Sequence, residues 1–159
     1  MIDSTIVHAH PHAAGEKGGS RDGSAWPVEG RATTKIDTAV AGRGNPLRFV
    51  MTPGQASEYT QAEWLLAGFP AHYVIVDKGY DSQKIVEAVE RSSAQAVIPP
   101  RACVKSPRTT DVTLYAARYC IECCFNRLKH YRTVEARYAT RARKFASLIY
   151  LAASVLCMN

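Results

Sequence analysis

The sequence predicts an α/β fold in which helices flank a mixed β-sheet. Three β-prone segments come first, joined by a long loop and a tight turn, which is the order of antiparallel neighbours. Two later apolar runs alternate with helical patterns, as parallel strands with crossover helices do. With 159 residues, 47% of them hydrophobic, the chain is expected to form a single domain across residues 1–159.

Composition and turn chemistry predict the first three strands. Residues 2–7 are rich in isoleucine, valine and threonine, which are common in strands. Glycine and polar residues predict a long loop at 11–32. Segment 33–42 alternates polar and apolar residues, which predicts a half-buried strand. Turn residues at 42–46 then make 47–52 its antiparallel partner.

Helices and strands alternate in the rest of the chain. Apolar spacing predicts the helices, and runs of valine and isoleucine predict the strands. The predicted elements are a helix at 57–68 capped by Ser57 or Thr60, a strand at 72–77, a helix at 82–92 capped by Asp81 or Ser82, a strand at 94–100, a basic loop at 101–110, a long helix at 112–132 and an apolar helix at 141–157.

Positive charge is concentrated in the last third of the chain. Residues 1–100 carry 9 Lys/Arg against 11 Asp/Glu, whereas residues 101–159 carry 11 against 3. This excess predicts a polyanionic partner such as nucleic acid, and a solvated helix surface is the alternative. No apolar run approaches the roughly 20 residues of a membrane span, and no secretion signal follows Met1. A cytoplasmic protein without membrane attachment is therefore expected.

Cysteine and histidine give weak metal signals. The five cysteines are an odd number without a secretion signal, which argues against a disulfide framework. Cys120 and Cys123 have the spacing of half a zinc site, but no second pair follows, so packing as small apolar residues is preferred. His8, His10 and His12 alternate as ligands on a strand face would, yet they lie where the chain enters the long loop.

Three acids fall in the kinds of place that a catalytic metal site needs. Asp3 lies in the first strand, Asp77 ends a strongly apolar strand, and Glu122 lies in the long helix. Open α/β sheets place ligands at the carboxyl ends of buried strands. Converging carboxylates could hold two divalent cations about 4 Å apart, which activate water or a hydroxyl for attack at phosphorus. Asp81 could be a fourth acid, although a helix cap is the preferred role.

The long helix carries a polar stripe beside its apolar one. Tyr115, Arg118, Glu122 and Lys129 are spaced i, i+3, i+7 and i+14, so they fall within an arc of about 60° on a regular helix. The cations and the tyrosine hydroxyl can bind phosphate oxygens. The alternative is an amphipathic helix whose charges only solvate it, with Arg118 and Glu122 as an i,i+4 pair.

These residues occur in stretches that match a known family. The chain contains "IDSTIVHAHPHAAGEKGG", "YVIVDKGYDS" and "LYAARYCIECCFNRLKHYRTVEARY", the last with the spacing Tyr-x2-Arg-x3-Glu-x6-Lys. In them it resembles the catalytic half of DDE-type insertion-sequence transposases, the bacterial group with a Tyr-Arg-Glu-Lys signature. The resemblance covers nearly the whole chain and implies an RNase H-like fold.

The resemblance also implies roles for individual residues. Asp3, Asp77 and Glu122 would be the catalytic, metal-binding triad, with two Mg2+ ions as the cofactor and Mn2+ as a substitute. Lys78, beside the second aspartate, would bind phosphate or only be solvated. The candidate contacts with transposon-end DNA are Tyr115, Arg118, Lys129, Arg127 and Lys78.

The implied reaction is hydrolysis of a phosphodiester at the end of the element, followed by attack of the 3′-hydroxyl on target DNA. The alternatives are an inactive remnant that only binds DNA through residues 101–159, and a related nuclease without strand transfer. The family normally has a DNA-binding region before its first aspartate, which here is residue 3. A truncated chain, or one whose N-terminal half is encoded separately, is therefore expected, with a homodimer when two ends are held together. Two departures are Cys123, where the family commonly has a basic residue, and Asp37, where it often has a histidine.

Overall fold

The fold is α/β, with a mixed sheet flanked by helices, as expected for an RNase H-like protein. A computed structural model describes residues 1–13, 33–56, 61–100 and 110–158. Several sequence predictions lie outside the described residues: most of the long loop, the start of the helix predicted from Ser57 together with its candidate cap Thr60, and nearly all of the basic loop.

The three leading strands pair antiparallel, as predicted. They are β1 (Ile2–Ala9), β2 (Thr33–Val40) and β3 (Pro46–Pro53). The two later strands, β4 (Tyr73–Ile75) and β5 (Gln95–Val97), pair parallel to each other. A single parallel bridge between Ile2 and Val76 joins this pair to β1.

The free edge of β1 is shared between two partners. Its beginning bridges to Val76, and its end pairs in parallel with a two-residue strand, β6 (Ala136–Arg137). The sheet order is therefore β3-β2-β1-β6. The sequence did not predict β6, because two residues are too few to give an alternating pattern.

The prediction of a half-buried strand at 33–42 is wrong. Every residue of β2 from Thr34 to Val40 is buried. β2 lies between β1 and β3, and both of its faces are covered. Lys35 and Asp37 of β2 make hydrogen bonds inside the protein: the Lys35 ammonium donates to the Ala56 carbonyl at 2.7 Å, and the Thr52 hydroxyl donates to the Asp37 carboxylate at 3.0 Å.

The helices flank the sheets, and most of them follow the prediction. A 3-10 turn at Pro11–Ala13 opens the predicted loop. Ser82 caps the second helix by accepting a hydrogen bond from the Ile85 amide at 3.4 Å, so the preferred capping role for Asp81 is wrong. Within the described residues, no helix is both long and apolar enough to cross a lipid bilayer. The helices are α1 (Ala62–Leu66), α2 (Gln83–Arg91), α3 (Val112–Ala116), α4 (Tyr119–Lys129), α5 (Arg132–Glu135) and α6 (Ala142–Met158).

The prediction of one continuous helix at 112–132 is also wrong. The chain leaves α3 at Ala116 and enters α4 at Tyr119. Across this junction the amides of Ala117 and Arg118 donate to the carbonyls three residues earlier, which is the tighter 3-10 pattern. The junction therefore turns the first part of the polar stripe relative to the rest.

Two buried clusters hold the sheets and helices together. One packs α4 and α6 on the four-stranded sheet and includes Ile121 and Phe145. The other packs α1 and α2 on β4 and includes Ile2 and Val76. Ile2, Val76 and Ile121 are at most 1% exposed. Each of these three is the residue directly before one of the candidate catalytic acids, so the core fixes the backbone from which each acid projects.

The buried thiol of Cys124 makes stability depend on alkaline pH. Burial raises the pKa of Cys124 to about 11, from an ordinary value of 9.0. A group whose pKa is raised by folding stabilises the fold below its unfolded pKa, and this contribution is lost as pH rises through the folded pKa. We expect the wild type to lose about 1–2 kcal/mol more unfolding free energy than Cys124→Ala between pH 9.0 and about 11. Urea unfolding at several pH values measures this, and parallel pH curves for the two proteins would contradict it.

Candidate active site

The three predicted acids surround one guanidinium. The Arg118 side chain donates one nitrogen to the Asp3 carboxylate and another to the Glu122 carboxylate, each at 2.5 Å. Its Nε atom lies 4.0 Å from the Asp77 carboxylate. Asp3 and Arg118 are 115 residues apart in the chain. The fold thus brings β1, the segment after β4 and α4 together around a single cation.

Each acid reaches the site from a different kind of backbone. Asp3 projects from β1, opposite Thr38 of β2. Asp77 lies two residues beyond β4 and begins the 3-10 turn Lys78–Tyr80 in an extended conformation. Glu122 lies in the first turn of α4. The side chains of Asp3, Asp77 and Glu122 are 13%, 32% and 49% exposed, so the site opens to solvent on the side of Glu122.

Two polar side chains on either side of the 3-10 junction contact the acids. Residues three apart eclipse each other in 3-10 geometry, and Tyr115 and Arg118 are spaced in this way across the junction. The Tyr115 hydroxyl donates to the Asp77 carboxylate at 3.1 Å. The sequence prediction placed both residues on a DNA-facing stripe, but the structure shows that they contact the acids themselves.

Burial and the neighbouring carboxylates together shift the pKa of Arg118 and of Tyr115. Burial acts to lower the pKa of Arg118, but the charges of Asp3 and Asp77 outweigh burial and raise it above its ordinary value. Burial and then the charge and hydrogen bond of Asp77 raise the pKa of Tyr115. The guanidinium therefore stays charged, and the Tyr115 hydroxyl keeps the proton that it donates.

The three acids have the ligand chemistry that a hard divalent cation needs, and their carboxylates point toward one place. They supply oxygen ligands, which Mg2+ prefers, and all three already face one positive charge. Their spacing, however, is that set by the guanidinium between them. Among the described residues, no three side chains of the His, Cys, Asp and Glu types lie close enough together to hold a metal ion. The donor chemistry of the acids therefore fits the metal, whereas their arrangement around Arg118 does not.

The other predicted DNA contacts lie outside this cluster. Lys78 is exposed directly after Asp77, so its ammonium can reach solvent beside the site. Lys129 is half-buried at the end of α4, roughly 10 Å along the helix axis from Glu122. Arg127 lies about 140° around the helix from Glu122, and its guanidinium donates to the Leu156 carbonyl at 3.2 Å.

The weak metal signals of the sequence meet no metal site in the part of the chain that the structure describes. His10 stacks on Tyr138 with the ring centres 4.4 Å apart, and His12 touches the edge of His10. Cys123 is half-buried on α4, and Cys124 is buried in the core. Cys124 thus packs as a small apolar residue, whereas Cys120 is half-buried like Cys123.

Sequence reasoning missed the central position of Arg118. The i,i+4 spacing of Arg118 and Glu122 does predict their ion pair. No local signal predicts the contact with Asp3, because it depends on how α4 lies across β1. The contact between Tyr115 and Asp77 was missed for the same reason.

Two comparisons relate this chain to known proteins. The profile of the transposase DDE domain family matches residues 1–158. The chain is also 34% identical over 131 residues to a Brucella ovis protein that is named for a transposase role in insertion sequence element IS6501. That alignment covers 80% of this chain and 99% of the relative.

Proposed function

We propose that this chain, which belongs to the transposase DDE domain family, cuts DNA at the ends of a mobile element and joins those ends to target DNA. One observation carries the proposal: carboxylates from three separate elements converge on a single cation. Like charges are costly to bring together unless a cation compensates them. A site of this kind suits chemistry that depends on bound positive charge.

In the proposed site, Asp3, Asp77 and Glu122 hold Mg2+, and Mn2+ can replace it because it prefers the same oxygen ligands. When bound, the metal supplies positive charge that favours ionisation of the attacking water or hydroxyl and stabilises the leaving oxygen. The residues of the chain orient the reactants around this charge. Tyr115 fixes the rotamer of Asp77 through the 3.1 Å hydrogen bond. Lys78 stands at the open rim, where a phosphate of the bound DNA would pass.

Strand transfer uses the same site as hydrolysis in this proposal. In both steps an oxygen attacks phosphorus in line with the leaving oxygen, and only the attacking group changes from water to a DNA 3′-hydroxyl. Activity on a bacterial chromosome places the protein in the cytoplasm. Holding two ends together would use two copies of the chain.

A basic surface beyond the active site would carry the DNA backbone. It is formed by α5 and by the start of α6, and all of its members are exposed. The first turn of α6 contains no acid to offset them. The surface consists of Arg132, Arg141, Arg143 and Lys144. Lys129 lies on the side of α4 that carries Glu122, and Arg127 lies on nearly the opposite side.

Salt dependence tests this surface. We expect the double variant Arg141→Gln, Arg143→Gln to bind a DNA duplex more weakly and to lower the slope of log affinity against log salt by about 2, since each lost phosphate contact removes about 0.9. Fluorescence anisotropy with a labelled duplex at several NaCl concentrations measures the slope. The matched control is Lys84→Gln, Arg91→Gln, which removes two exposed charges from α2. An equal loss of slope in the control would contradict the proposed location.

Mapped cleavage tests the function itself. The substrate is a plasmid with the genomic segment that encodes the chain and its flanking sequences, and the protein is tested alone and with the product of any upstream reading frame. Mg2+-dependent nicks at the two boundaries of one segment, followed by joined products, are expected. Nicks without joined products would identify a nuclease. Binding without nicks under Mg2+ or Mn2+ would identify an inactive DNA-binding remnant.

A further inference from the structure

Arg118 occupies the place between the acids that a metal would take. Its guanidinium is bonded to Asp3 and Glu122 and lies 4.0 Å from Asp77. The arginine side chain is 20% exposed. In the described part of the chain, its hydrogen bonds are made to these carboxylates alone, and its buried Nε atom has no hydrogen-bond partner.

Arg137 shows what a structurally anchored arginine looks like in the same protein. It is 4% exposed, and it donates to the Ala139 and Thr140 carbonyls and to the Thr34 hydroxyl. Two of these three acceptors are backbone carbonyls, which carry no net charge and cannot be titrated. Arg118 has no such anchor, so whatever competes for its carboxylates can release it.

We propose that Arg118 is an internal counter-ion that keeps the metal-free site closed, and that a divalent cation and a DNA phosphate together draw it out. The inference rests on the proposed function, because it takes the three acids to be the metal ligands. Mg2+ requires oxygen ligands at about 2.0–2.1 Å in near-octahedral geometry. Carboxylates that are held apart by a planar guanidinium cannot meet this requirement, so the arginine must leave before the metal is fully bound.

DNA supplies the place to which Arg118 goes. A guanidinium binds a phosphate through two parallel hydrogen bonds, as it binds a carboxylate. The 3-10 junction holds the arginine backbone at the start of α4, while its long side chain can swing toward the open side of the site at Glu122. Metal binding by the carboxylates then frees the guanidinium to bind a phosphate. Phosphate binding by the guanidinium likewise frees the carboxylates to bind the metal.

This exchange couples the two ligands thermodynamically. If metal and DNA each favour the same displaced position of Arg118, each must raise the affinity for the other by the same factor. Removing the guanidinium should abolish the coupling and leave a site that binds metal well without DNA. If Arg118 acted only by repelling the metal, it would weaken metal binding. DNA would then not reverse that effect by displacing the arginine side chain.

Calorimetric titration of the full chain with Mg2+, alone and with a short DNA duplex, tests the proposal. Wild-type protein is expected to bind Mg2+ more tightly with the duplex than without it. Arg118→Gln is expected to bind Mg2+ about tenfold more tightly than wild type in the absence of DNA, which corresponds to ~1.4 kcal/mol. The duplex should no longer change that affinity. Arg91→Gln, which breaks the exposed ion pair with Glu63, is the matched control and should behave as wild type.

Other outcomes separate this inference from the proposed function. If Asp77→Asn and Glu122→Gln bind Mg2+ as well as wild type does, the assigned metal site is wrong and the function falls with it. If they lose Mg2+ binding while Arg118→Gln binds no more tightly than wild type, or keeps the full DNA effect, only the counter-ion proposal is overturned. If Arg118→Gln fails to fold, Arg118→Lys replaces it in the test. The single lysine ammonium cannot bridge Asp3 and Glu122 as the guanidinium does. An unchanged Mg2+ affinity in Arg118→Lys would overturn the proposal.

Discussion

Asp77→Asn is expected to reduce Mg2+-dependent DNA cleavage by on the order of 10³-fold, with little change in thermal stability. The substitution keeps the shape of the side chain, and the amide oxygen can still accept the hydrogen bond that the Tyr115 hydroxyl donates at 3.1 Å. It removes the negative charge and one strong oxygen ligand for the metal. Because Val76 is fully buried beside it, the backbone stays in place and the effect is confined to the chemistry.

Cleavage rates on the element-bearing plasmid, with the melting temperature of each variant, measure this prediction. Glu87→Gln is the matched control, since it removes one exposed acid from the neighbouring helix α2. Wild-type rates in Asp77→Asn would remove this residue from the catalytic site. A large fall in melting temperature would instead mean that Asp77 acts mainly in folding.

Local pattern indicates Asp77, because it follows an apolar run that must enter the core, and the structure places it two residues beyond β4. Asp3 instead lies at the second position of β1. The sequence indicated its candidate role through the family resemblance. The strand order of the first three strands was predictable from local pattern, since a turn at 42–46 leaves little choice of partner.

The rest of the site depends on contacts between distant residues. The break at Ala117–Arg118 was not predicted, because the residues on both sides of it favour a helix. The predicted stripe placed Arg118 beside Glu122, and that i,i+4 ion pair forms. The contacts of the same guanidinium with Asp3 and Asp77 depend on how α4 lies against the strands, which no local pattern encodes. The sequence therefore identified Arg118 as a candidate but did not place it among all three acids.

Core packing accounts for the position of the third acid. Glu122 is held by α4, whose buried residues Ile121 and Phe125 belong to the same cluster as Phe145 of α6. This cluster also contains Val7 of β1, the strand that carries Asp3. The relative position of two candidate catalytic acids thus depends on a hydrophobic contact that neither of them makes.

Phe145→Ala is therefore expected to lower the free energy of unfolding by about 3–5 kcal/mol and to reduce DNA cleavage as well. Phe145 is fully buried, and the Arg137 guanidinium lies 5.6 Å from its ring centre. Truncation leaves a cavity where α6 meets α4 and the sheet, and it also removes this cation–π contact.

Two further variants serve as controls. Phe145→Leu should cost less than about 1.5 kcal/mol, because it keeps most of the side-chain volume. Leu151→Ala, on the exposed face of the same helix, should change the free energy of unfolding by about 0.5 kcal/mol or less. Urea unfolding of the three variants measures the series. If Phe145→Ala were as stable as Leu151→Ala, α6 would not be what holds α4 in place, and the alignment of Glu122 with Asp3 would need another cause.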